Sequence, residues 1–114
     1  ADQWTNTWFD SGIWDLGHAD PVSGRESLKS FWISSMSRFE KVVHTYSNSI
    51  SELDSNSGSG SGRAYVTEWL KPKEGDPLVL HGFYDDEYIF ENNKWLFSKR
   101  TLNRIYMGKP DLST

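Results

Sequence analysis

The chain has 114 residues, no cysteine and a net charge of −4 at pH 7, and its 12 Lys and Arg residues are scattered. This length suits one domain, which we place over residues 1–114. The composition excludes disulfides and cysteine-based zinc sites, and the dispersed positive charge argues against a nucleic-acid partner. No apolar run is long enough to cross a bilayer, so we predict no membrane partner and a cytoplasmic location.

The first predicted elements are a short strand and one long helix. Residues 1–7 form an N-terminal remnant, residues 12–16 predict a strand, and residues 18–24 predict a loop interrupted by proline and glycine. Residues 24–41 predict the helix, because apolar side chains recur there at three- and four-residue intervals. That apolar stripe comprises Leu28, Phe31, Trp32, Met36 and Phe39.

After residue 41 the period of the apolar residues changes to two, which is typical of strands. The predicted strands cover residues 42–53, 63–71, 78–91 and 94–107. The Ser/Gly run at residues 55–62 predicts a flexible connection, and Asn92 and Asn93 predict a tight hairpin turn. Residues 72–77 predict a further turn, and residues 108–114 predict a loose tail.

This order of elements predicts an α+β fold with a curved antiparallel sheet and one main helix. One helix cannot cover four long strands, so a sheet that curls around it leaves an open end as a cavity. Aromatic residues make up 15% of the chain, and such side chains commonly line ligand pockets. The sequence therefore predicts a pocket for a small apolar or cyclic molecule.

Several motifs over residues 8–107 resemble the nuclear transport factor two-like superfamily. The segments TWFDSGIWDLG, HTYSN and HGFYDDEYIFENNKWLFSKR are similar to its SnoaL-like branch, which includes polyketide cyclases, scytalone dehydratase, bile-acid dehydratase and hexachlorocyclohexane dehydrochlorinase. The most specific part comprises Gly82, Tyr84, Asp86 and Tyr88, followed by Trp95 and Arg100. The resemblance implies a cone-shaped α+β barrel with a deep apolar pocket.

The resemblance also implies an activity and candidate site residues. His44 matches the general base of the dehydratases, Arg100 matches a pocket arginine, and Trp14 matches a pocket tryptophan. The implied function is a dehydratase-like lyase or isomerase that abstracts a proton from a cyclic substrate without a cofactor. The alternative is a non-catalytic module for ligand binding or oligomerisation, and the family implies a homo-dimer or homo-trimer.

Each catalytic candidate has a structural alternative. Near pH 7 the imidazole of His44 is able to take a proton from a substrate, but it also suits a core hydrogen bond to a neighbouring Tyr or Asn. The guanidinium of Arg100 is able to bind a leaving anion, or to form a salt bridge with Asp85, Asp86 or Glu87. Both alternatives stay open from the residues alone.

Five further residues are candidates for substrate binding or for plain core packing. They are Trp14, Tyr46, Asn48, Trp69 and Tyr84. In a regular strand, alternation would place Tyr46 and Asn48 on the same face as His44.

The three histidines show no metal-ligand spacing, so we predict no metal site. In the family, a long helix before the segment equivalent to residues 8–17 carries the aspartate that partners the histidine. No such helix is visible before Trp8, and we expect its place to be empty or filled by another element. No matching position supplies the acidic partner of His44.

Overall fold

The computed structural model describes residues 1–110 as two helices and six strands. They are α1 (Asp2–Thr5), β1 (Trp8–Asp15), β2 (Val22–Ser23), α2 (Arg25–Met36), β3 (Phe39–Asp54), β4 (Ser59–Pro72), β5 (Leu78–Glu91) and β6 (Lys94–Gly108). The predicted α+β class is confirmed. The loose tail was predicted to begin at residue 108, but Gly108 is the last residue of β6. Residues 111–114 of that tail lie outside the described residues.

The six strands form one curved, unclosed sheet in the order β2-β1-β6-β5-β4-β3. Strands β3 to β6 make the predicted antiparallel meander. Strand β1 adds a parallel pair beside β6, and β2 pairs with β1 inside the segment that was predicted to be a loop. Shifts in register interrupt three of the strand pairs, and such bulges bend and twist a sheet.

Helix α2 is shorter than the sequence predicts. It ends at Met36, and Phe39 already belongs to β3, where it pairs with Pro72. Serine competes with helical hydrogen bonds through its side chain, and the Ser37 hydroxyl donates to the Ser34 carbonyl at 2.7 Å. The prediction that the helix reaches residue 41 is therefore wrong.

The second half of the Ser/Gly run, residues 59–62, belongs to strand β4. The turn occupies residues 55–58, where Asp54 Oδ1 accepts the Asn56 N–H at 2.9 Å, and β4 begins at Ser59. The flexible connection predicted over residues 55–62 is thus corrected to a tight turn. The Asn turn is confirmed, because φ is 53° at Asn92 and 63° at Asn93, as a two-residue hairpin requires.

The first helical turn of α2 is joined to β1. Gly24 donates its N–H to the Gly12 carbonyl at 2.9 Å, and Arg25 pairs with Asp10 at 2.9 Å. The Arg25 guanidinium also donates to the carbonyl of Trp8, whose side chain is fully buried. These contacts hold α2 across the end of the sheet that β1 and β2 form.

A bulge at Ser47 sets the orientation of side chains in β3 relative to those of β4. Tyr46 pairs with Val66, whereas Asn48 pairs with Tyr65, so one residue of β3 has no partner. An inserted residue reverses the face on which the following side chains lie. The prediction that Asn48 shares a face with Tyr46 is therefore wrong.

The core lies under the concave face of the central strands. Its buried cluster comprises Val66, Leu80, Tyr84 and Leu102, and Trp14 and Leu16 pack against it. These residues come from neighbouring strands at matching register, so the pleat points them to one side. The same face continues into the cavity described below.

We expect Gly82→Ala to destabilise the fold by about 1–3 kcal/mol, the usual cost of overpacking. A Cβ at Gly82 would lie 2.5 Å from the carbonyl oxygen of Asn103, and backbone cannot move away as a side-chain tip can. Denaturant unfolding measures the loss. The control Ser61→Ala lies exposed on β4 and should change stability by less than about 0.5 kcal/mol. Equal stability of Gly82→Ala and wild type would contradict the packing argument.

Candidate active site

The concave face of the sheet and helix α2 enclose a cavity of about 1290 Å³. One wall is aromatic and includes Trp4, Trp8, Trp14, Phe31, Trp32 and Phe97. Trp14 holds this wall together: its ring lies 5.3 Å from that of Trp4 and meets Phe31 edge-on at 5.5 Å. Such a wall suits an apolar, ring-shaped ligand.

Five of the seven residues predicted for the site line this cavity. They are Trp14, His44, Tyr46, Tyr84 and Arg100. Tyr84 is buried, with 4% of its surface exposed, whereas Tyr46 is 52% exposed on the outermost strand of the sheet. The cavity thus brings together side chains from β1, β3, β5 and β6.

Asn48 and Trp69 lie on the opposite, convex face. Trp69 pairs with Val43, and 48% of its surface is exposed. Asn48 follows the bulge and is also exposed. The bulge in β3 explains the position of Asn48. Trp69 lies between Glu68 and Leu70, which line the cavity, so strand alternation places it on the opposite face.

His44 lies beside a carboxylate that comes from the neighbouring strand. Its Nε2 is 3.4 Å from Oε1 of Glu68, the residue directly opposite it on β4. The Glu68 side chain is only 15% exposed, while that of His44 is 41% exposed. A carboxylate in this place is able to orient the imidazole.

Arg100 is tied to Asp86 at the inner end of the cavity. Its Nε and Nη2 donate to the two carboxylate oxygens at 2.8 and 3.2 Å, and the Asp86 side chain is 1% exposed. The guanidinium also stacks over the rings of Tyr84 and Phe97, at 3.9 and 4.3 Å from their centroids. Burial alone would lower the pKa of Arg100, but the bonds to Asp86 outweigh burial and raise it.

Tyr84 lies between these two charged pairs. Burial raises the pKa of its hydroxyl well above the ordinary value, and the negative charge of Glu68 raises it further. The proximity of Arg100 only partly offsets these effects. Tyr84 therefore remains a protonated hydrogen-bond donor under all ordinary conditions.

Two more observations concern possible ligands of the cavity. The buried indole nitrogen of Trp14 has no hydrogen-bond partner among residues 1–110. Within the same residues, no three His, Asp or Glu side chains come together in a way that would hold a metal ion.

No helix in the described part of the chain is long and apolar enough to cross a membrane.

Glu68 is the site residue that the sequence did not indicate. The sequence predicted its strand but no register with the preceding strand, so no residue was expected to lie opposite His44. Asp86 was expected as a possible salt-bridge partner of Arg100. The structure contains this salt bridge, and Arg100 also lines the cavity. The signal that could have found Glu68 is strand alternation, which places it on the same face as the apolar residues Val66 and Leu70.

A family model of SnoaL-like domains matches residues 1–101. The chain belongs to the SnoaL-like domain family. This confirms the resemblance found in the motifs of the sequence. No curated protein matches the chain.

Solved structures of other SnoaL-like proteins share the fold. A scytalone dehydratase-like protein from Novosphingobium aromaticivorans has a TM-score of 0.85 at 18% identity, covering 98% of this chain and 75% of its own. The hexachlorocyclohexane dehydrochlorinase LinA has a TM-score of 0.83 at 21% identity, covering 98% and 77%. Its type 3 form from Novosphingobium barchaimii has a TM-score of 0.75 at 22% identity, covering 89% and 70%. At identities of 18–22%, the similarity shows only that this chain and these proteins share a fold.

We expect Asp86→Asn to destabilise the protein by about 3–5 kcal/mol, because it leaves the buried charge of Arg100 without its partner. The neighbouring Asp85 offers a matched control. It bonds Arg63 through two oxygens at 2.8 and 3.3 Å, but both side chains are about half exposed. Asp85→Asn should cost less than about 1 kcal/mol in denaturant unfolding. Similar losses for both variants would show that burial does not strengthen the inner pair.

We expect stability to fall as pH rises above about 10, in part because of Tyr84. With its pKa raised by burial, folded Tyr84 keeps a proton that the unfolded chain has lost, so alkali favours unfolding. Tyr84→Phe should reduce this loss by up to about 1.4 kcal/mol per pH unit, measured by denaturant unfolding. Tyr65→Phe, at an exposed tyrosine, serves as the control. Parallel losses in wild type and Tyr84→Phe would contradict the expectation.

Proposed function

We propose that the protein is a small-molecule lyase or isomerase that abstracts a proton from a cyclic substrate without a cofactor. The observation that carries this proposal is the pair formed by His44 and Glu68 within an aromatic cavity. The families of the structural neighbours support it, since one is named for the loss of water and another for the loss of hydrogen chloride.

The geometry of the pair suggests which nitrogen acts as the base. Because Nε2 of His44 lies 3.4 Å from Oε1 of Glu68, we assign the ring hydrogen to Nε2 and the lone pair to Nδ1. Nδ1 would take a proton from a substrate carbon, and the electrons of that bond would form a double bond as the leaving group departs with its own pair. Glu68 stabilises the imidazolium that results.

Charge that develops on the substrate would meet two donors at the inner end of the cavity. The Nη1 of Arg100 makes no hydrogen bond among the described residues, whereas Nε and Nη2 are held by Asp86. The hydroxyl of Tyr84 stays protonated and lies on the same face. Together they would stabilise an oxyanion or a departing anion.

A second candidate role is oligomerisation through the convex face, as a non-catalytic module. Val43, Tyr65 and Trp69 are exposed there by 46, 39 and 48%, on two paired strands. Contiguous exposed apolar side chains commonly mark an interface. The predicted dimer or trimer would cover this face and leave the cavity free for a ligand.

The proposal is tested with ring compounds that carry a leaving group next to an acidic C–H bond. A panel of hydroxylated and halogenated cyclic compounds is screened for elimination, and His44→Gln and Glu68→Gln are compared on any substrate found. We expect His44→Gln to lower kcat by about 10² to 10⁴, because it removes the base. Glu68→Gln should cause a smaller loss, since the imidazole remains but its protonated form loses its partner.

Matched controls lie on the convex face of the same sheet. His81 bonds Thr67 at 3.1 Å, and Glu87 pairs in register with Lys99, so neither contributes to the cavity. His81→Gln and Glu87→Gln should leave kcat unchanged. Unchanged turnover in His44→Gln would refute the assigned base, and ligand binding without turnover of any compound would favour the non-catalytic module.

A further inference from the structure

The two edges of the sheet differ in length and in protection. One edge is β2, which has two residues, and a very short edge strand is a common protection against association. The other edge is β3, which has 16 residues and is exposed at every residue from Val43 to Asp54. Between Lys41 and Glu52 it contains no proline and no Lys, Arg, Asp or Glu. Its outer N–H and C=O groups therefore offer a long, unprotected site for a further strand.

The bulge at Ser47 determines which side chains of β3 share a face. His44, Tyr46 and Ser49 line the cavity, so the alternation between concave and convex residues changes phase at the bulge. The convex residues on either side of the bulge are Lys41, Val43 and Thr45, and then Asn48, Ile50 and Glu52. In a continuous sheet, a strand that pairs with this edge places its own convex residues opposite these.

A second copy of β3 meets this condition in an antiparallel register that is symmetric about the bulge. The register that places Lys41 opposite Glu52 of the second copy also places Val43 opposite its Ile50, and symmetry repeats both contacts. A shift by one residue places convex side chains opposite concave ones. A shift by two residues leaves either Lys41 opposite Ile50 or Val43 opposite Glu52. Of these registers, the first alone pairs opposite charges and also pairs apolar side chains.

The charged residues of this register lack partners in a single chain. Lys41 lies directly opposite Lys71 on β4, and like charges opposite each other in a sheet are unfavourable. Neither Lys41 nor Glu52 forms a salt bridge among residues 1–110. Glu52 of a second copy would lie on the other side of Lys41 from Lys71 and would offset this repulsion. The pairing would also cover apolar surface, because Val43 and Ile50 are 46 and 76% exposed.

We propose that two copies of the chain associate edge to edge through β3, antiparallel and about a two-fold axis beside Ser47. This pairing continues the sheet from one copy into the other and keeps both concave faces, with their cavities, on the same side. His44 then lies opposite Ser49 of the second copy, so the second copy borders each cavity at the edge of the sheet. The proposal does not depend on the catalytic one, and it uses a different surface from the convex face described above.

The test measures molecular mass in solution by sedimentation equilibrium at low salt, for wild type and for two charge-reversed variants. We expect wild type to form a dimer. Lys41→Glu and Glu52→Lys should each dimerise about tenfold more weakly, because each places like charges opposite one another at two symmetric positions. An equimolar mixture of the two variants should restore the dimer, since the mixed pair brings opposite charges together at both positions. Restoration would also show that both variants fold.

Matched controls lie on the convex face, two and three strands away from β3. Glu87 on β5 pairs in register with Lys99 on β6, and Glu87→Lys and Lys99→Glu should each dimerise like wild type. Amide hydrogen exchange supplies a second measurement, because only edge pairing covers the outer N–H groups of β3. These groups should exchange slowly in the wild-type dimer and rapidly in Glu52→Lys.

Three results would overturn the proposal. They are a wild type that stays monomeric at every concentration, a mixture that dimerises no better than the single variants, and a dimer whose outer β3 N–H groups exchange rapidly. Loss of the dimer in the Glu87 and Lys99 variants would also overturn it, and would identify the convex face as the interface.

Discussion

The unpaired residue at Ser47 is the constraint on which the site depends. Side chains of a strand alternate between the two faces, so one inserted residue exchanges the faces of everything beyond it. Here it turns Asn48 outward and places Glu68, not Trp69, opposite His44. Without the bulge His44 would lie opposite Trp69, and its side chain would point to the convex face, outside the cavity.

Two adjacent acids of β5 each pair with an arginine, but the two pairs lie on opposite faces of the sheet and differ in burial. Asp85 and Asp86 each hold an arginine through two hydrogen bonds of similar length. The Asp85 pair is exposed to solvent on the convex face, whereas the Asp86 pair is buried under the cavity. The inner guanidinium is already compensated by Asp86, so it stacks on the rings of Tyr84 and Phe97, and its Nη1 makes no hydrogen bond among the described residues.

Local signals in the sequence predicted the fold well, and non-local ones did not. The Asn turn, the meander and the apolar stripe of the helix depend on residues that are close together in the chain, so the sequence pattern predicted them. The parallel pairing of β1 with β6 joins residues far apart in the chain, and no local pattern encodes it. The positions of His44 and Tyr84 in the cavity followed from family motifs, but Asn48 was misplaced because a bulge leaves no mark on apolar periodicity.

The carboxylate beside His44 within residues 1–110 is that of Glu68. The resemblance pointed to an aspartate on a helix, whereas here Glu68 lies on the neighbouring strand at a position fixed by the register of the sheet. Side chains directly opposite each other start about 5 Å apart, so a glutamate reaches the ring without any movement of the backbone. The same carboxylate raises the pKa of Tyr84. One negative charge thus lies beside the imidazole and adds to burial in keeping the neighbouring hydroxyl protonated.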